Sequence, residues 1–239
     1  GSDNWGEKVK LTASDGNSND YFGNSVAISD SIVIVGAWKY EENVEWLDWT
    51  DNGAAYIFYK DKGGSDKWGE EKKITASDPG NNNYFGISVD ISDSIIIVGA
   101  SLNDDGKGAA YVFYKDKGGA NNWGQEKKLI TNDRTDDFNF GKSVAINNNF
   151  ALVGTWKDNV LGNESGSAYI FVNGKPTLTL GVSDGFNIDY SSGSGTNILT
   201  FNYTIGTNHN TNKLDYTIDS IILNSSTIKD LAGHNAILT

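Results

Sequence analysis

Tyr84-Phe85-Gly86, Ser88-Val89-Asp90-Ile91-Ser92, Ile95-Ile96-Ile97-Val98-Gly99-Ala100 and Ala109-Ala110-Tyr111-Val112-Phe113 follow one another with only short polar joins. The second run alternates apolar and polar residues. The third is a β-branched run ending in Gly-Ala, and the fourth is aromatic. Gly, Asn, Asp and Ser punctuate the gaps. Alternation and short apolar runs between turn residues are strand signals. The pattern occurs twice more. Phe22-Gly23 leads to Ile34-Val35-Gly36-Ala37 and Ala55-Tyr56-Ile57-Phe58. Phe140-Gly141 leads to Leu152-Val153-Gly154-Thr155 and Ala168-Tyr169-Ile170-Phe171.

Two landmarks give the same period. Phe22, Phe85 and Phe140 are spaced by 63 and then 55 positions, and so are Trp5-Gly6, Trp68-Gly69 and Trp123-Gly124. Repeats of roughly this length, with about four strands each, suggest propeller blades. Phe-Gly, Ser-Val-Ala-Ile-Ser, Val-Gly-Ala, Ala-Tyr-Ile-Phe and Trp with Lys-Leu-Thr-Ala-Ser-Asp together resemble the bacterial form of the FG-GAP repeat. That family is similar to the blades of the integrin α-subunit propeller. The resemblance implies an extracellular or cell-surface location, adhesion and ligand binding. The calcium loop of many integrin-type copies does not carry over. Only Ser29-Asp30-Ser31, Ser92-Asp93-Ser94 and Asn147-Asn148-Asn149 stand at its place.

The expected fold is all-β. Three propeller-type four-stranded blades, about 5–67, 68–122 and 123–172, form an open arc over 1–172. An incomplete Ig-like β-sandwich follows over 173–239. In that region Pro176-Thr177-Leu178-Thr179-Leu180, Leu199-Thr200-Phe201-Asn202-Tyr203 and Thr227-Ile228-Lys229-Asp230-Leu231-Ala232-Gly233 resemble the end of an Ig-like repeat of bacterial surface proteins. Expected strands are Pro176–Val182, Phe186–Tyr190, Asn197–Ile205, Lys213–Ile218 and Ser220–Leu223, with further candidates at Ile228 and Ala236–Leu238. A sandwich of this kind takes about 100 residues, so an edge is expected to be missing.

Trp5 to Thr12 reads as a strand, with Val9 and Leu11 on one face and Lys8 and Lys10 on the other. Its equivalents, around Lys72-Lys73-Ile74 and Lys127-Lys128-Leu129, follow an aromatic strand. Each therefore reads as the outer strand of the preceding blade. The first copy has no preceding blade to complete, and the third has no such segment after it. Fewer than about four blades do not close a ring. The expectation is therefore a homo-oligomer or filament joined by strand donation, with Val9, Leu11, Leu178 and Leu180 as donor positions. A heterologous contact that does not close makes a fibre.

Two other sites stand as candidates. Asp15, Asn17, Asn19 and Asp20 place oxygens at part of a calcium-loop spacing, so Ca²⁺ is the candidate cofactor. The spacing is not kept in the other copies, and polar turns that bond their own backbone need the same residues. The turn reading ranks first. The insertion Trp38–Asp51 mixes Trp38, Tyr40, Trp46 and Trp49 with carboxylates. One reading is a surface for a glycan or surface protein, in an adhesin or lectin-like module of a larger cell-surface protein. The other, ranked first, is packing or subunit contact, because Trp156 stands where Trp38 does.

Composition narrows the rest. The net charge of −12 argues against nucleic acid and anionic lipid as partners. There is no Cys and no Met, and His209 and His234 are the only histidines, so Cys/His metal sites are excluded. No apolar run approaches a membrane span. Gly1-Ser2 reads as a tag scar or a mature terminus, with any export signal already removed. Glu41-Glu42 and Asp136-Asp137 are adjacent acids that would point apart. Ser191–Ser194 has no nucleophile elbow, and His234 reads as a turn residue. The expectation is a non-enzyme. Asn163, Asn202 and Asn224 match the glycosylation triplet, a pattern that recurs by chance in Asn-rich chains.

Overall fold

The computed structural model describes residues 5–41, 51–80, 82–174, 177–180, 187–192, 200–201 and 216–222. It divides into two compact units, Gly1–Phe171 and Val172–Thr239. Every regular element among the described residues is a strand. None of the described residues forms a helix long and apolar enough to cross a membrane.

The first unit holds three antiparallel sheets. Sheet one runs β1 (Ser25–Ser29), β2 (Ile32–Ala37), β3 (Ala54–Lys60), β4 (Trp68–Ile74) in that order. Sheet two repeats it with β5 (Phe85–Ser92), β6 (Ile95–Ala100), β7 (Ala109–Tyr114) and β8 (Gly124–Leu129). Among the described residues sheet three has only β9 (Ser143–Asn147), β10 (Phe150–Thr155) and β11 (Ser167–Val172). The outer strands β4 and β8 thus complete the sheet that precedes them in the chain. The register repeats too: Tyr56 pairs with Lys73 and Tyr111 with Lys128, each followed by a bulge one residue further on.

Alternation explains the stacking. One side of each strand faces one neighbouring sheet and the other side faces the next. Ile34, Ala55, Ile57 and Ile74 of sheet one bury against Phe85, Val89, Ile91 and Val98 of sheet two. Ile97, Ala110 and Val112 of sheet two bury against Phe140, Ala151 and Val153 of sheet three.

The Phe-Gly dipeptide is the seam between sheets. Phe85 bridges to Gly53 and Phe140 to Gly108, both in parallel pairing. The glycine after each Phe has φ near +90°. A Cβ on Gly86 would lie 2.3 Å from the Ala54 carbonyl, and one on Gly141 2.2 Å from that of Ala109. The Gly of each Val-Gly-Ala run meets the seam from the other side. A Cβ on Gly36 would sit 2.1 Å from the Gly86 carbonyl, and one on Gly99 2.0 Å from that of Gly141. The Ser25 and Ser88 hydroxyls donate to the same two carbonyls, each at 2.8 Å. Backbone touches backbone here, so no other side chain fits.

Trp5 to Thr12 departs from the expectation, because the segment is in no sheet. Its equivalents pair with an aromatic strand that precedes them, and among the described residues no strand precedes Trp5. The second unit forms one sheet, ordered β14 (Thr200–Phe201), β13 (Asn187–Ser192), β12 (Thr177–Leu180), β15 (Tyr216–Ile222). Lys213–Ile218 and Ser220–Leu223 were expected as two strands. Asp219 does not break the chain, and Tyr216–Ile222 is continuous.

Gly99→Ala tests the seam. The substitution is expected to cost about 2 kcal/mol or more, because backbone must move to admit the methyl group. A lowered urea midpoint with unchanged slope would show it.

Candidate assembly interface

Each complete sheet is fastened by three side chains from different parts of the chain. In sheet one, the Tyr56 hydroxyl donates to Asp15 Oδ1 at 2.9 Å, and Lys73 Nζ donates to Asp15 Oδ2 at 2.8 Å. Lys73 also donates to the Tyr40 hydroxyl. In sheet two, Tyr111 donates to Asp78 Oδ1 at 2.8 Å and Lys128 to Asp78 Oδ2 at 2.6 Å. Lys128 reaches Asn103 Oδ1 at 2.7 Å as well. The Lys always comes from the outer strand. Burial alone would raise the Asp15 and Asp78 carboxyls, but hydrogen bonds from the Lys and Tyr outweigh it and hold both below the usual range. Burial, then the bond to Asp, pushes the Tyr56 and Tyr111 hydroxyls well up.

Sheet three keeps two of the three parts. Tyr169 donates to Asp133 Oδ2 at 3.0 Å and lies 3.3 Å from Asp158 Oδ2. Asp158 stands where Tyr40 and Asn103 stand in the other sheets, and it is only 5 % exposed. Among the described residues no Lys or Arg forms an ion pair with Asp133 or Asp158.

The two ends of the stack are bare. On sheet three, Phe150, Leu152, Ile170 and Val172 line up on the outward face, and Leu152 is 42 % exposed. Its counterpart in sheet two, Ile97, is fully buried. On sheet one, Val26 and Ile28 are 65 % and 66 % exposed, against 8 % and 6 % for Val89 and Ile91. The seam glycines follow suit. A Cβ on Gly154 would meet only Ser143 of its own sheet, and one on Gly23 would meet nothing within 4 Å. β11 is an edge strand.

The N-terminal segment lies at the bare end of sheet one. Leu11 and Ala13 pack against the core containing Tyr56 and Phe58. Ile74 and Ala76 do the same one repeat later, beside Tyr111 and Phe113. Val9 is exposed, and Trp5 is 99 % exposed whereas Trp123 is 1 % exposed. Trp123 Nε1 donates to the Tyr59 hydroxyl at 2.9 Å.

The other predicted positions fall elsewhere. Tyr40 is buried against sheet one from the loop after β2, and Trp38 lies between Tyr21 and Tyr84, with ring centroids 5.3 and 4.3 Å away. Trp46 and Trp49 lie outside the described residues. Leu178 and Leu180 sit on β12, which pairs with β13 on one side and β15 on the other. Donating that strand would break two ladders, so these two are not free donors. The calcium candidates are otherwise engaged. Asp15 holds Lys73 and Tyr56, and Asp20 Oδ2 accepts the Asn17 amide at 2.7 Å. The Asn17 side chain donates to the Asp15 carbonyl, and Asn19 takes a left-handed turn conformation. Among the described residues no group of three or more acids and histidines is placed to hold a metal.

The family model of the FG-GAP repeat matches residues 5–58, 68–113 and 123–171. The chain belongs to the FG-GAP repeat family. No curated protein matches it closely enough to add a relative. The FG-GAP repeats begin at the Trp of the outer strand and end at the aromatic strand. The second and third sequence repeats therefore span two sheets, starting on one and ending on the next.

Asp78→Asn tests the fastening. Its depressed carboxyl contributes stability that is present above the unfolded value of about 3.9 and lost as pH falls through the folded value. The variant is expected to lose about 1 kcal/mol or less at neutral pH, since the pair is partly exposed. Its melting temperature should also fall less steeply than that of the parent below about pH 4. Melts across that range check both.

Proposed function

We propose that the chain is a non-enzymatic structural subunit of an extracellular or cell-surface assembly, in which copies join by strand donation and sheet stacking. One observation carries the reading. Among the described residues the same polypeptide presents an outer-strand segment without a ladder, Trp5–Leu11, and a ladder without an outer strand, β11. The three sheets then form an open arc whose two ends are complementary. One end offers Val26 and Ile28, and the other offers Leu152 and Ile170.

Magnitudes show why both features are needed. Bringing about six half-exposed apolar side chains to full burial contributes on the order of 5–9 kcal/mol. Association costs roughly 4–15 kcal/mol. Face stacking alone therefore hardly holds two copies together. A donated strand adds several ladder hydrogen bonds at about 1 kcal/mol each and tips the balance. Trp38 and Tyr40 are engaged in packing within the chain, which supports packing over glycan binding for that pair.

The molar mass of the purified chain, measured by light scattering and sedimentation across a concentration series, tests this. The expected result is a concentration-dependent oligomer that Leu152→Glu together with Ile170→Glu converts to a folded monomer. A parent chain that stays monomeric at its highest soluble concentration would refute the reading.

A further inference from the structure

We infer that the join between copies reproduces the joint inside the chain residue for residue. Gly6–Leu11 of a second copy forms the fourth strand of sheet three, and its Lys10 enters the Asp133–Asp158–Tyr169 cluster. This rests on the self-association proposed above and names its register and its ionic contact.

The register comes from the two ladders already built. Ala55, Tyr56 and Ile57 face Ile74, Lys73 and Lys72, and Ala110, Tyr111 and Val112 face Leu129, Lys128 and Lys127. The same spacing sets Ala168, Tyr169 and Ile170 opposite Leu11, Lys10 and Val9. The ladder then resumes after the bulge with Phe171 opposite Glu7, as Phe58 faces Glu70 and Phe113 faces Gln125. Glu70 accepts from the Ser14 amide, and Gln125 from the Ser77 amide. Glu7 would meet Asn132 in the same way.

The cluster itself points to a cation. Two carboxylates converge on one tyrosine hydroxyl, one of them almost wholly buried, and no described Lys or Arg pairs with either. A buried carboxylate without a cation is costly. In sheets one and two an outer-strand Lys, Lys73 or Lys128, fills that position. Lys10 holds the equivalent place in the sequence and forms no ion pair among the described residues. The seam supplies a second, independent sign. Gly154 keeps the glycine that Gly36 and Gly99 need for a neighbouring carbonyl, yet no neighbour's backbone is there. In the inferred join, the Gly23 carbonyl of the second copy takes that place and accepts from Ser143, as Gly86 and Gly141 accept from Ser25 and Ser88.

The chain has no cysteine, which makes a cross-link test clean. A Val9→Cys chain is mixed with an Ile170→Cys chain under mild oxidation, and a Leu11→Cys chain with the same partner is the control. The expected product is a covalent heterodimer from the first mixture only, because positions two residues out of register are too far apart for a disulfide. Lys10→Ala is expected to weaken self-association at least roughly tenfold, and Lys10→Arg far less. If light scattering shows oligomers but the first mixture does not cross-link, or the control does, the register is wrong and self-association stands. If oligomers form equally well with Lys10→Ala, the ionic contact is wrong. If the unmodified chain is monomeric, both this inference and the proposed function fail.

Discussion

The structure depends on one close approach, a glycine carbonyl of one sheet lying against a glycine α-carbon of the sheet before it. At Gly36 and Gly99 the opposing carbonyl occupies the space a methyl group would need. The approach fixes the distance and the relative setting of two sheets at one point. Everything else in the joint follows from that point. Phe85 and Phe140 are buried because they flank it, and their parallel bridges to Gly53 and Gly108 extend it by one residue. Large alternating side chains fill the widening space further out. The order matters: an apolar face alone would allow sheets to slide, whereas a backbone contact admits a single arrangement.

The Asp–Tyr–Lys fastening acts at the outer rim of the same joint. It ties together three separate pieces of chain: a turn that carries the Asp, the aromatic strand, and the outer strand beside it. Partly exposed ion pairs contribute little to stability. Their use here is orientation, since a carboxylate that accepts from both a phenol and an ammonium sets the register of an outer strand. Register needs such a device at β4 and β8. Both are polar strands, Glu-Glu-Lys-Lys and Gln-Glu-Lys-Lys, with little apolar contrast between their faces.

Much of this was legible in the sequence. The alternation of Ser88–Ser92, the Gly-Ala ends and the recurring Trp-Gly gave the strands, their number per repeat and the assignment of outer strands to the preceding sheet. The seam was visible only as Phe-Gly and Val-Gly-Ala, because no local rule says that two glycines more than forty residues apart touch. The fastening was hidden for the same reason. Asp15 was read with its neighbours Asn17, Asn19 and Asp20 as oxygen donors, whereas its partners Tyr56 and Lys73 lie far along the chain. Trp5–Thr12 shows the opposite error. Its pattern is that of a strand, but a strand is defined by its partner, and pattern alone does not supply one. Leu178-Thr179-Leu180 alternates just as cleanly and looked like a donor, yet both of its edges are already used.

A stack of this kind is a one-dimensional array in which each sheet is stabilised by its neighbours. Its ends are the weak points, and sheet three, which has no outer strand among the described residues, is the weaker of the two. Copies joined by the internal joint would continue the array with a fixed rotation at every step, so closure depends on that rotation alone. Rings of blades form with roughly four to eight members. If copies join in this way, a rotation that closes the array brings every seam glycine against a carbonyl and gives every Asp–Tyr pair a Lys. Any other rotation leaves one donor and one acceptor unsatisfied at the ends and continues as a fibre. In that arrangement the choice between ring and fibre would be made at the glycine seam, where the angle between successive sheets is set.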